Sequence, residues 1–226
     1  MTDYKAQMGK ALKRLAGHRS NYEAWADFAI VGASELSAPL FPGNPIHDDA
    51  RLAREKYDED ELGAMAEMMG FTVLALEENP NQDFLGSMFM ALEIGNKHNG
   101  QFFTPYSVCA AMAEGTITKE GCDKALAEKG YVTLNDPACG GGATLIAGAN
   151  RLRELGVSCS DDAWFVGQDL NQETACMCYI QLALLGCAGE IVIGDTIRGE
   201  ARQRIELPMN LISGWWTIRR LKGGAA

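Results

Sequence analysis

Asp136, Asp169 and Asp195 each end a short apolar run, in "YVTLND", "AWFVGQD" and "EIVIGD". The first run opens onto "PACGGGATLIAGA", three consecutive glycines followed by an apolar, Ala-rich stretch. Glycines in that place let a backbone approach something closely. Carboxylates at successive strand ends accept hydrogen bonds from hydroxyls and amines, and they attract cations. The loop lacks the G-x-G-x-x-G rhythm and has no G-K-[ST]. It is therefore neither a dinucleotide fingerprint nor a P-loop. An acid at its start disfavours a phosphate and suits an ammonium or sulfonium group, which points toward S-adenosylmethionine. Taken alone, the motif reads equally well as a tight strand-to-helix turn with no ligand.

The elements that must position these acids follow from periodicity and punctuation. From Gly100 onward the order is helix, strand, Gly loop, helix, strand, helix, strand, the pattern of a parallel α/β sheet. Ligands of such sheets bind beyond the carboxyl ends of the strands, where the three acids stand. Thr104 is expected to cap a helix with Pro105 in its first position, running to about Glu114. Gly130 is expected to stop a short helix, Ala143 to Leu155 to form the helix after the Gly loop, and Asn171 to cap a long helix stopped by Gly186. Upstream, Tyr4 to about Leu36 and Arg51 to Met69 read as two helical runs, separated by the Pro-rich "SAPLFPGNPIHDD". A further helix is expected from Asp83 to near Gly95. The expected division is a helical region over 1–82 and an α/β domain over 83–226.

Composition bounds the function. Apolar residues make up 47% of 226, enough for a sizeable core. A net charge of −10 argues against strong autonomous nucleic-acid binding, because phosphate contacts need Lys and Arg. Residues 57–93 hold nine acids and no base, while Lys5, Lys10, Lys13, Arg14 and Arg19 gather near one end and Arg198, Arg202, Arg204, Arg219, Arg220 and Lys222 near the other. These are read first as solvated surface, with an assembled basic face as the sharper alternative. No apolar run reaches the roughly 18 residues of a spanning helix. Seven cysteines, an odd number, with a polar start to the chain suit a reduced cytoplasmic setting. Cys176 and Cys178 lie about 200° apart on a helix, and the three histidines are scattered, so no metal is implied.

Four segments together resemble the type I restriction–modification N6-adenine DNA methyltransferases, the modification subunits. They are "GQFFTPYSV" at 100–108, "NDPACGGGATLIAGA", "VGQDLNQETACMCYIQLALLG" and "IVIGDTI", in that family's order, with "QDFLGSMFM" as its lead-in. The resemblance covers roughly 82–198. It implies a Rossmann-like S-adenosylmethionine-dependent methyltransferase sheet, incomplete here, with a helical N-terminal subdomain. It also implies roles. Gln101, Phe102, Phe103, Thr104, Pro105 and Tyr106 would wrap the methionine end of the cofactor. Asp136 would face its amino group, and Ala138, Cys139, Gly140, Gly141 and Gly142 would give the backbone approach. Asp169 would hold the ribose hydroxyls, and Asp195 with Thr196 would meet the adenine amine.

The sequence departs from the family in one respect. Amino-methylating relatives carry an N-P-P-F/Y tetrapeptide after the fourth strand, whose polar groups hold the target amine and whose ring stacks on the flipped base. Residues 197–226 contain no N-P-P or D-P-P, and "LPMN" has its asparagine on the wrong side of the proline. No catalytic residue is therefore assigned. The expectation is a chain cut short of the catalytic motif, reaching DNA through a partner subunit that is catalytic or confers specificity. The segment "LISGWWTIRR" is expected to pack against the open sheet.

Overall fold

The computed structural model describes residues 3–92 and 103–217. Five helices precede the sheet region: α1 (Tyr4–Ala16), α2 (Asn21–Ser37), α3 (Ile46–Arg54), α4 (Glu59–Glu78) and α5 (Phe84–Ala91). Each of the two long helical runs read from the sequence is in fact two helices. The first breaks at Gly17, and Ser20 restarts it by accepting a hydrogen bond from the Glu23 N–H. In the second, α3 begins inside the expected loop, and the chain turns at Lys56–Tyr57. Asp58 and Glu61 then form a capping box that starts α4. Periodicity misses both breaks because the apolar spacing continues through them, whereas the caps are two-residue signals. Asp83 caps α5 through the Gly86 N–H, and the expected continuation to Gly95 lies outside the described residues.

The sheet region follows. It comprises α6 (Tyr106–Thr116), α7 (Lys119–Lys129), β1 (Val132–Asp136), α8 (Ala143–Glu154), β2 (Ala163–Asp169), α9 (Gln172–Leu184), β3 (Gly189–Ile193), β4 (Gln203–Glu206) and α10 (Met209–Ile212). Strand order is β1-β2-β3-β4; the first three are parallel, with Asp136 level with Gly167 and Asp169 level with Ile193. β4 turns back antiparallel against β3, a strand the sequence reading did not anticipate. Its polar "QRIE" has only Ile205 to bury, so no apolar run announces it. The result is an α/β fold with a Rossmann-like parallel core and a helical N-terminal part.

One continuous core runs from Met8 in α1 to Leu207 after β4. The helical part is joined to the sheet part mainly through α2 and α9. Trp25 is fully buried, and its indole N–H points to the Met177 sulfur at 3.3 Å. Tyr22 donates to Glu173 at 2.6 Å. Asp49 of α3 accepts from Gln172 and Gln203 at 2.7 and 2.8 Å. The acidic α4 meets α1 rather than standing free: Arg14 grips Glu67 with two bonds of 2.9 and 3.0 Å, and Arg19 reaches Glu61 at 2.8 Å. Arg198 and Arg204 also face acids, Asp195 and Glu190. Four of the bases proposed for a basic face are thus turned to carboxylates. Arg219, Arg220 and Lys222 lie outside the described residues.

The tail packs as expected for its described part. Trp215 is buried against Trp164 and Tyr131, with ring centroids 5.1 and 5.7 Å away, and Trp216 covers Trp164 from the side at 5.1 Å. Asn210 is almost wholly buried. Its side-chain amide accepts from the Gly189 N–H at 2.7 Å and donates to the Gly189 carbonyl at 2.9 Å, closing the start of β3. Replacing Asn210 with Ala leaves the Gly189 N–H without its partner, while the Gly189 carbonyl keeps the Leu207 N–H at 2.9 Å. It should lower stability by about 1–3 kcal/mol, read from urea unfolding with an unchanged slope.

Candidate functional site

The carboxyl ends of β1, β2 and β3 bring the three acids together through a set of tethers. Asp136 Oδ1 accepts from the Ala138 N–H at 3.0 Å and Oδ2 accepts from the Thr144 hydroxyl, so the acid clasps both sides of the Gly loop. Asp169 Oδ2 accepts from the Gly140 N–H at 2.8 Å, while Oδ1 accepts from the Asn171 N–H and the Thr174 hydroxyl at 3.0 and 2.9 Å. Asp195 Oδ1 accepts from the Ile197 and Arg198 N–H groups, and the Thr196 hydroxyl donates to the Pro137 carbonyl at 2.6 Å. All three carboxylates remain half-buried and open on one side. An ionised carboxylate has about four acceptor positions. Asp136 uses two and Asp169 three, so each keeps at least one for a ligand.

Asn171 does stand at the N-cap of α9, but its side chain makes no capping bond. Asp169 instead closes an Asx turn on the Asn171 N–H and accepts from the Thr174 hydroxyl, fixing the approach to the helix without capping it. The helix expected from Thr104 begins one residue later. Pro105 occupies the N-cap position, Tyr106 is the first helical residue, and no side chain caps it. A prolyl ring fixes φ but offers no acceptor, so the Pro105 carbonyl alone starts the helix, taking the N–H groups of Val108 and Cys109.

The loop glycines have a structural reason that the sequence could not show. Gly140 and Gly142 adopt φ of 51° and 100°, in the left-handed region. A Cβ on Gly140 would come within 3.1 Å of the Phe103 ring, and one on Gly142 within 2.9 Å of the Cys178 sulfur. At Gly141 the neighbours would be Gly86 Cα and Met177 at 3.3 Å. The first close approach made by this backbone is therefore to α5, α9 and Phe103. Phe103 itself stacks on Phe89, with centroids 5.2 Å apart.

Of the other residues assigned by resemblance, Ala138, Thr104 and Pro105 are exposed, and Cys139 is buried under the loop. Tyr106 points away from the acids: its hydroxyl accepts from Asn150 of α8 at 2.8 Å, and burial raises its pKa. Gln101 and Phe102 lie outside the described residues. All seven cysteines are free and buried. Among the described residues, no group of three His, Cys, Asp or Glu side chains could hold a metal, and no helix is long and apolar enough to cross a membrane.

Two residues of the site were passed over in the sequence. The sequence offers Asp83 only as the start of a helix and within a family lead-in, yet it is buried beside Gly141 and accepts from Gln181 and Gly86 at 2.8 Å each. Gln181 is wholly buried. The available signal was its polarity within the apolar "CYIQLALL".

Against this geometry the comparisons are informative. The family model for N-6 DNA methylases matches residues 83–212, more than half of the chain. The chain belongs to the N-6 DNA methylase family. The match takes in α5 through α10, so the Gly loop, all three acids, Asp83 and Gln181 fall within the N-6 DNA methylase segment. No curated protein matches the chain. Among solved structures, a Listeria monocytogenes protein described as a candidate class I S-adenosylmethionine-dependent methyltransferase is 19% identical, with a TM-score of 0.49, over 87% of this chain and 55% of that one. The chain thus spans about half the length of that structure.

Burial pushes the Asp83 carboxyl above its ordinary range, against the opposing effect of the Gln181 and Gly86 hydrogen bonds. An acid whose folded pKa is raised contributes full stability below its unfolded value. That contribution is lost as pH rises through the folded value. Wild type should therefore lose stability relative to Asp83→Asn as pH rises from below the model-compound value of 3.8. Parallel unfolding titrations of the two proteins across that range measure the difference.

Proposed function

We propose that this methylase-family chain binds S-adenosylmethionine at the carboxyl ends of β1–β3 and serves N6-adenine methylation of DNA in a restriction–modification system, with a partner needed for catalysis. The observation that carries the reading is the hold of Asp136, Asp169 and Thr196, the neighbour of Asp195, on one Gly loop inside the family-matched segment. The fit to the cofactor rests on donor chemistry. Asp136 offers a negative charge to an ammonium, Asp169 keeps an acceptor for a ribose hydroxyl, and Asp195 with Thr196 borders the place for an adenine amine. When bound, the cofactor supplies an electrophilic methyl group on sulfur. The chain's own residues hold the loop, orient those three contacts and leave the backbone of Ala138 to Gly142 facing the cleft.

A partner is supported by two features. Asn210 of "LPMN" is committed to Gly189, so it does not hold a target amine. β1, the strand that carries the Gly loop, is also the terminal strand among the described residues, with Thr133 and Asn135 exposed. Parallel strands are normally covered on both faces and paired on both sides. The partner would be a catalytic or specificity subunit, and DNA would be engaged through it. A second reading is favoured by the commitment of Asn210 to Gly189: a catalytically silent module that holds the cofactor or a subunit and regulates or decoys such a system.

Calorimetric titration of the purified chain should show S-adenosylmethionine binding, and labelled methyl transfer to duplex DNA should be absent until the partner is added. Absence of binding overturns the cofactor assignment. Methylation by the chain alone overturns the need for a partner, and continued silence with the partner present favours the regulatory module.

A further inference from the structure

Gln181 has no exposed surface, and a buried amide must place two N–H donors and a carbonyl oxygen. It places them on three groups in two segments, the start of α5 and the Gly loop. Its oxygen accepts from the Leu85 N–H at 3.1 Å, in the first turn of α5. Its nitrogen donates to Asp83 Oδ1 at 2.8 Å and to the Gly141 carbonyl at 2.9 Å. The orientation of the amide is forced. Turned over, its oxygen would face two acceptors and its NH2 would face a donor.

The Gly141 bond falls at the entry to α8. The peptide between Gly141 and Gly142 is held at both ends, its C=O by Gln181 and its N–H by the Cys139 carbonyl at 2.8 Å. One peptide earlier, the Gly140 N–H is held by Asp169, and Asp169 is held in turn by Thr174. Thr174, Cys178 and Gln181 stand at i, i+4 and i+7 on α9, a single helix face. Cys178 on that face is the atom pair that excludes a Cβ at Gly142. One face of one helix therefore meets every glycine of the loop, or the acid that holds it, or the peptide that follows it.

We infer that Gln181 is the positioning residue of the Gly loop: its amide fixes the 141–142 peptide plane, and with it the backbone surface offered to the cofactor. The inference rests on the reading of this loop as the cofactor loop. Glu in its place cannot donate to Gly141, and Asn is one methylene too short to span the three partners. Gln181 touches neither cofactor nor substrate and acts through the loop alone.

The test separates this role from simple stabilisation. In the double variant Asp83→Asn, Gln181→Glu, Asn at 83 donates to Glu at 181, so one side-chain bond between α5 and α9 remains, while the Gly141 carbonyl and the Gly86 N–H, which shares Asp83 Oδ1 with Gln181, lose their partners. Gln181→Met, close in volume, removes all three bonds and serves as the second arm should the double variant not fold. Amide hydrogen exchange over residues 138–146 and calorimetric affinity for S-adenosylmethionine are measured alongside thermal unfolding of the whole chain. Expected are at least tenfold faster exchange at Gly142, an affinity at least tenfold weaker and, in the double variant, a rise in Gly142 exchange larger than the change in global stability accounts for. Loop exchange equal to wild type in a folded variant overturns the inference. So does faster exchange that merely follows a fall in global stability. Wild type that does not bind the cofactor refutes the proposed function, while the exchange measurement still decides the part played by Gln181.

Discussion

Helix α9 is buried on every side from Glu173 to Leu182, and the rest of the molecule is arranged around that constraint. A helix in such a place cannot be amphipathic in the usual sense. Each polar group it carries must find a fixed partner, or its burial costs the full desolvation penalty. Glu173 finds Tyr22, Thr174 finds Asp169, and Gln181 finds Asp83, Leu85 and Gly141. The small residues Ala175, Cys176 and Cys178 let neighbours come close. Through those bonds α9 joins the helical part to the sheet and fixes the loop at the end of β1.

This arrangement explains why the Gly loop can be glycine-rich without being loose. Glycine costs the most backbone entropy on ordering. Here that cost is offset by hydrogen bonds the loop donates to Asp136 and Asp169 and accepts from Gln181, and by contacts that leave no room for a Cβ. A loop held at its amides before a ligand arrives loses less freedom on binding, which is the physical meaning of preorganisation. Asp136 and Asp169 tie the loop directly, and Thr196 beside Asp195 ties it through the Pro137 carbonyl.

The helical N-terminal part is more than an appendage. Its α2 packs against α9, its α3 reaches β4 through Asp49 and Gln203, and its α5 brings Asp83 under the loop. The acidic α4 spends part of its charge on Arg14 and Arg19 of the N-terminal segment. Whatever completes the cleft on the β1 side would meet a loop whose geometry is already set from the α9 side.

The amino-acid sequence by itself determined the local matters: the three parallel strands, the glycine stop at Gly130, the helix after the Gly loop, and the acids at the strand ends. Those are carried by short apolar runs, turn residues and composition, all of which act within a few residues of themselves. It also carried the family motifs. Only the tertiary structure decided how the loop is held. That Asp169 takes the Asn171 N–H while the Asn171 side chain makes no cap, that Gly142 is glycine because of Cys178, and that Gln181 bonds to Asp83 and Gly141 are facts about residues 2, 36, 98 and 40 positions apart. The two-residue case was missed because Asn before a helix signals a cap whether or not its side chain turns inward, and spacing cannot say which. The distant pairs were invisible for a simpler reason. A hydrogen bond between residues far apart in the chain exists only once packing has brought them together, and no local propensity records it.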